Sequence, residues 1–355
     1  MEGGGVEKNI ILISNFLIQH IKNISLITFD DKFKNKFSKK INFVYPNLLG
    51  NKKFSKYYKY FICLKMLIKI ILKNKNTCVF AFQANIYCII LSKLFNFKIV
   101  VRSNSSPAGW SKNIIKNYIF RFFLKRADAL IVNSYDFKKE IDRKFNTKAV
   151  VIYNPLNKAE IVKKSKEKLK FNFFDSKKSL KIINIARFTD QKDHITLIKA
   201  FRIINKKINA KLLLIGYGPN KKKIQYSIKN FRLEKNIKIL NYQDNPYKYI
   251  KKANLFILTS IYEGLPNVLL ECMALKRFII SSNCKTGPRE ILANNKYGIL
   301  FKPGDHLELA NKIIYFHENK NNSKSKVLKG YKSLKRFDFK KNSYRYLILI
   351  KKIMQ

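Results

Sequence analysis

The stretch Thr259-Ser260-Ile261-Tyr262-Glu263-Gly264-Leu265-Pro266-Asn267-Val268-Leu269-Leu270-Glu271 holds the residue types of a site for an anionic, hydroxyl-rich ligand. A strand is expected to end near Thr259 and a helix to start close to Pro266, a residue suited to a first helical turn. Gly264 lets the backbone approach a ligand closely. The amides of that first turn and the helix dipole favour an anion. Glu263 precedes the helix and Glu271 follows its first turn, so both can line one pocket. A carboxylate accepts two hydrogen bonds and can grip vicinal hydroxyls. Two glutamates alone would read as a cap and a surface charge. The Gly-x-Pro-Asn run between strand and helix turns the reading toward a site.

A second group, Arg187 and Lys192, follows a predicted strand within one loop. Two cations reaching one crevice can neutralise a diphosphate leaving group without a metal. In so basic a chain, a lone Arg/Lys pair more often means a solvated loop. Gly3, Gly4 and Gly5 stand before the first helix, where a glycine turn can admit phosphate or sugar. Gly216, in Gly216-Tyr217-Gly218, marks a strand-to-helix turn, and Tyr242 follows a strand where it could frame a base edge. The plain alternative for both is a tight turn. The four histidines, His20, His194, His306 and His317, show no metal spacing, and His194 reads as structural or exposed. No GxSxG or GxxxxGK[ST] run occurs.

These groups need a scaffold that gathers strand ends. Strands are predicted at Ser25–Phe29, Thr77–Phe82, Lys98–Arg102, Ala129–Asn133 and Ala149–Tyr153, then at Lys181–Ala186, Ala210–Ile215, Ile237–Leu240, Leu255–Thr259 and Phe278–Ser281. Helical patterns lie between most of them, and Phe339–Lys352 closes the chain as a basic amphipathic helix candidate. Strands alternating with helices imply parallel sheets, here two in succession. The expected class is α/β, with two Rossmann-like lobes facing a central cleft. The expected division is a domain over 1–155, a lysine-rich linker over 156–178, a donor-side domain over 179–335, and a terminal helix over 336–355 that returns to the first lobe. Residues 50–59 read as a basic loop.

The 355 residues exceed what one core usually organises. Lys and Arg number 73 against 22 Asp and Glu, a net charge of +51 that draws the surface to phosphates, nucleic acid or an anionic membrane. An apolar fraction of 46% excludes disorder. The five cysteines form no CxxC pair, which suits buried thiols in a reducing compartment. No basic-then-apolar leader and no uncharged run of membrane-spanning length is read. The Tyr60–Leu72 and Tyr118–Arg126 segments mix aromatics and aliphatics with Lys and Arg, which suits peripheral contact with an anionic leaflet; the plain alternative for both is a core helix with snorkelling lysines.

Taken in order, IARFTDQKDHITLIKAF, LLLIGYGP, YQDNPYKYIKKANLFILTSIYEGLPNVLLECMA and SSNCKTGPREILANNKYGILFKPGD resemble glycosyltransferase family 4, the retaining transferases of GT-B fold. RADALIVNSYDFKKEI and VVIYNPL resemble it more loosely. The resemblance implies that Arg187 and Lys192 bind a donor diphosphate. It implies that Glu271 holds the ribose, and that Glu263 meets the transferred sugar beside the backbone of Gly264, Leu265, Pro266, Asn267 and Val268. It places the base near Gly216 and Tyr242, with Gly3, Gly4 and Gly5 closing from the other lobe. It implies no metal and no cofactor besides the nucleotide-diphosphate sugar, a glycan or lipid-linked acceptor, no specific nucleic acid, and a cytoplasmic protein at the inner membrane face. Two departures stand out: the chain starts inside the glycine loop, so the first lobe is expected without its first strand, and Val101–Pro107 lacks a family histidine. The rival expectations are a basic nucleic-acid-binding protein and a catalytically inactive GT-B scaffold.

Overall fold

The computed structural model describes residues 4–47, 54–74, 76–107, 110, 113–176 and 178–355. The chain divides into two compact units, Met1–Pro155 with Phe339–Gln355, and Leu156–Asp338.

In the first unit, β1 (Ser25–Ile27) and β2 (Asn42–Val44) form a small parallel pair. A separate parallel sheet runs β3 (Cys78–Ala81), β4 (Lys98–Arg102), β5 (Ala129–Val132), β6 (Val150–Val151) in that order. β5 is buried throughout and β4 nearly so, as parallel strands covered on both faces must be. The element order opens on helix α1 (Gly5–Leu17), followed by α2 (Lys56–Lys73), α3 (Asn85–Leu94), α4 (Ile114–Leu124) and α5 (Tyr135–Phe145). α2 begins inside the stretch expected to be a basic loop. Ser55 supplies the reason: its hydroxyl accepts from the Tyr58 amide, and Lys56 on the first turn stays solvated.

The last helix, α14 (Phe339–Met354), belongs to this first unit and packs on α1. Phe16 meets Phe339 and Tyr344 edge-on, and Tyr346, Leu347 and Ile350 join Val100, Ile131 and Ile152 in one core. Beneath them the Arg102 guanidinium is fully buried. Nε donates to the Tyr346 hydroxyl, and the other nitrogens donate to Asn104 and Asn154. These three acceptors are neutral oxygens, one of them on the last helix.

The second unit opens with α6 (Lys158–Ser165), inside the 156–178 stretch whose composition marks it as a linker. Asn157 caps it, Ile161 and Ser165 are buried, and its lysines face solvent, so a lysine-rich composition hides an ordinary amphipathic helix. The parallel sheet comprises β7 (Leu180–Ile185), β8 (Ala210–Ile215), β9 (Ile237–Leu240), β10 (Leu255–Leu258), β11 (Phe278–Ser282) and β12 (Ile299–Phe301). Its spatial order is β12-β11-β10-β7-β8-β9. The chain builds outward from β7 to β9, then returns to the far side of β7 with β10. That reversal puts a crevice outside the carboxyl ends of β7 and β10, where open α/β sheets bind ligands. The covering helices are α7 (His194–Asn205), α8 (Lys221–Asn230), α9 (Tyr247–Lys252), α10 (Asn267–Ala274), α11 (Pro288–Ile291), α12 (His306–Glu318) and α13 (Lys320–Ser333). α9, α13 and β12 escaped the sequence reading. α9 is only six residues, and α13 has a strongly polar sequence with few buried positions.

Candidate active site

The loops that leave β7 and β10 lie side by side because the two strands pair in parallel, Leu255 with Ile182 and Phe256 with Ile183. They are also stitched together. The Ile261 amide donates to the Gln191 carbonyl at 2.8 Å, the Thr259 hydroxyl to the Lys192 carbonyl at 2.8 Å, and the Gln191 side-chain amide to the Tyr262 carbonyl at 2.8 Å. A short 3₁₀ turn, Asp190–Lys192, and a left-handed Asp193 that caps α7 fix the Lys192 backbone. Two side chains from two strand ends therefore meet at a set position. The Lys192 ammonium donates to Glu263 Oε1, and the Ser260 hydroxyl donates to the same oxygen at 2.7 Å. Side-chain exposure is 15% for Lys192 and 8% for Glu263, so the pair is held largely out of water.

Glu263 is positioned from a third strand end. Thr286, after β11, donates its hydroxyl to the Glu263 carbonyl at 2.5 Å. Thr286 and Gly287 both have positive φ, 61° and 78°. A Cβ on Gly287 would stand 1.9 Å from the Gly264 carbonyl oxygen, so only glycine admits this approach. Pro266 sits at the N-cap of α10 rather than within its first turn, with Asn267 and Val268 opening the helix. Leu265 is buried beside them. Glu271, on the second turn, is buried, and the Tyr247 hydroxyl of α9 donates to its Oε1 at 3.4 Å. Burial first, and then the Glu271 charge, push the Tyr247 phenol well above its ordinary range, so it stays a donor.

Arg187 follows β7 and is exposed at the same carboxyl edge. Arg187, Lys192 and Glu263 thus arise from the paired strand ends of the switch point, and Glu271 from the helix that the β10 loop leads into. Gly216 follows the neighbouring β8. A Cβ there would lie 1.9 Å from the Ala186 carbonyl oxygen, so close packing of two loops already accounts for this glycine. Tyr242 is partly exposed and meets the Tyr217 ring edge-on at 6.1 Å. Gly3 lies outside the described residues. Gly4 caps α1 and Gly5 begins it, in the first unit, and the Gly4 amide donates to Glu7 Oε2 at 2.9 Å. The Gly4 amide is thus engaged by a carboxylate of its own helix. Sequence reasoning missed Ser260, Thr286, Gly287 and Tyr247. The adjacent Thr286-Gly287-Pro288 could have signalled a constrained turn.

His194, read as structural or exposed, is buried at the start of α7, edge-on to Phe188 at 5.0 Å. Among the described residues neither ring nitrogen has a hydrogen-bond partner. Burial, and then the Lys192 charge, push its pKa down to about 3, so the ring is neutral in the folded state. The unfolded ring binds a proton near pH 6.5, so its stability contribution is intact above that pH and is lost as pH falls below it. Between pH 7.5 and 5.5 this residue should lower stability by roughly 1 kcal/mol. Urea unfolding of the wild type and His194→Leu at both pH values checks this. An equal loss in the two proteins would remove His194 as the cause.

Comparison with known proteins gives the class first. Over 98% of this chain and 96% of the other, the fold superposes on the Anabaena HepE structure in complex with UDP and glucose, with a TM-score of 0.79 at 16% identity. Two α/β units with parallel sheets make this the GT-B class. The family follows: the description "Glycosyltransferase Family 4" matches residues 3–160 and "Glycosyl transferases group 1" matches residues 165–333. The chain belongs to these family 4, group 1 glycosyltransferases. It is 35% identical over 243 residues to an uncharacterised glycosyltransferase of Methanocaldococcus jannaschii, covering 61% of this chain. It is 26% identical over 224 residues to the Campylobacter jejuni N-acetylgalactosamine-N,N'-diacetylbacillosaminyl-diphospho-undecaprenol 4-alpha-N-acetylgalactosaminyltransferase, covering 60% of this chain. Each alignment spans 59% of the relative's own length.

Proposed function

We propose that this protein is a retaining glycosyltransferase that moves a hexose-type sugar from a nucleoside-diphosphate donor to a glycan or lipid-linked acceptor in cell-surface polysaccharide synthesis. One observation carries the reading: the largely buried Lys192–Glu263 pair comes from adjacent strand ends at the switch point, with Arg187 on the same edge and the buried Glu271 on the helix that follows. Arg187, Lys192 and the amides opening α10 neutralise the diphosphate as its bond to the sugar breaks, so no metal is required. Glu271, held by Tyr247, takes the ribose hydroxyls. Glu263 has Oε1 engaged by Lys192 and Ser260, and its second oxygen meets the transferred sugar. Gly216 and Tyr242 flank the base. The HepE structure with UDP and glucose supports a uridine donor. The diphospho-undecaprenol in the Campylobacter relative's name supports a lipid-linked acceptor. No helix among the described residues is long and apolar enough to cross a membrane.

A thermal-shift series with uridine, guanosine and adenosine diphosphate sugars tests the donor site. A ligand at about a hundred times its Kd stabilises by about 2.7 kcal/mol. A shift is expected with a uridine donor and should vanish in Arg187→Ala and in Glu271→Ala. Shifts that persist in both variants would refute the site.

A further inference from the structure

Between Asp31 and Asp128 the sequence has no Asp or Glu, yet it has 21 Lys and Arg. All 22 acidic residues lie outside that segment, which carries α2, α3 and α4. These helices are neighbours in the first unit, α2 against α3 and α3 against α4. α4 reverses the usual arrangement of an amphipathic helix. Ile114, Ile115, Tyr118, Ile119 and Phe122 share one face at helical spacing, and all are exposed. Ile114 reaches 83%, Ile115 71% and Tyr118 69%. Leu124 is its one buried residue among those described. Exposed Lys116, Arg121, Lys125 and Arg126 surround the stripe, with the Arg126 guanidinium 3.4 Å from the Phe122 ring centroid. Exposed Tyr57 and Phe61 on α2 continue the pattern.

We propose that the α4 face docks on an anionic phospholipid bilayer, with Ile114, Ile115 and Tyr118 inserted at the headgroup boundary and the flanking cations on lipid phosphates. Charge and shape both point to this occupant. A nucleic acid would satisfy the cations but leave two exposed isoleucines against phosphate and water. A bilayer surface takes both, and its attraction needs no patterned complement to an acid-free surface. The inference deepens the membrane-side placement in the reading above but does not depend on the donor chemistry, which resides in the second unit.

Co-sedimentation of the full chain with vesicles tests it, at a salt concentration of about 0.15 M. Phosphatidylcholine vesicles are compared with vesicles containing about one-third phosphatidylglycerol. Strong partition is expected only onto the anionic vesicles. It should fall at least about tenfold in the Ile114→Ser, Ile115→Ser, Tyr118→Ser triple variant. Tyr226→Ser with Tyr315→Ser, which alters exposed aromatics of the second unit, should leave it unchanged. An unchanged far-ultraviolet circular dichroism spectrum and cooperative melting show that each variant folds. Anionic partition undiminished in the triple variant overturns the proposal. So does tight binding of mixed-sequence DNA, equal in wild type and triple variant, without vesicle binding. Either outcome leaves the transfer reading standing.

Discussion

Lys192→Met should destabilise the second unit by about 3 kcal/mol and abolish transfer. The substitution removes the cation from a carboxylate that the fold keeps only 8% exposed, leaving the Ser260 hydroxyl on the same oxygen. Breaking one side of a buried pair typically costs about 3–5 kcal/mol, because the remaining charge is stranded. The lower end applies because Lys192 keeps some contact with water. Glu263→Gln should also destabilise, by stranding the ammonium. The double variant Lys192→Met, Glu263→Gln should recover at least about 2 kcal/mol of the summed losses, the coupling expected of touching residues. It should still transfer no sugar. A stable and inactive double variant separates the chemistry from the scaffold. Urea unfolding and a sugar-transfer assay provide the two readouts. Single variants within about 0.5 kcal/mol of wild type would deny the pair its role, since that is the range of ordinary surface changes.

Gly287→Ala should be nearly as damaging, by a different route. The new methyl would fall 1.9 Å from the Gly264 carbonyl oxygen and 2.8 Å from the Pro266 ring. Gly287 also sits at φ 78°, beside Thr286 at 61°, a conformation L residues adopt only under strain. Relief requires the Glu263–Pro266 segment to move, and with it the start of α10. A loss of at least about 3 kcal/mol is expected, together with loss of the donor-induced thermal shift. Gly304→Ala is the control: it shares a positive φ of 81°, but its new methyl would meet no heavy atom within 4 Å, so it should show backbone strain alone. Equal effects at the two glycines would mean that the contact with Gly264 is unimportant.

Much of this arrangement is legible in the sequence. Apolar runs bounded by polar residues locate most of the strands, because parallel strands are buried on both faces and need unbroken hydrophobic sequence. The pairing of Glu263 with Lys192 is not legible. The sequence suggests two independent contacts to a ligand, whereas strand pairing places them against each other 71 residues apart. Gly216 shows the reverse problem. Its motif suggests a nucleotide contact, but its lack of a side chain is demanded by the Ala186 carbonyl. Tyr247 is hidden because α9 is too short to show periodicity and is set by the Asn245 side chain, which accepts from the Tyr247 amide. The lysines of residues 156–178 and 50–59 suggest loops, since composition alone cannot show which face of a helix meets water.

The docking of α14 on the first unit has a consequence for how the protein is made. The first unit is discontinuous: its core contains Tyr346, Leu347 and Ile350, which leave the ribosome after the whole second unit. Until they arrive, the Arg102 guanidinium lacks the Tyr346 hydroxyl, and the apolar side of β4 and β5 lacks its cover. The second unit, continuous from Leu156 to Asp338, emerges complete before that point. Of the two units, the one whose synthesis starts earlier is therefore the one whose core closes later.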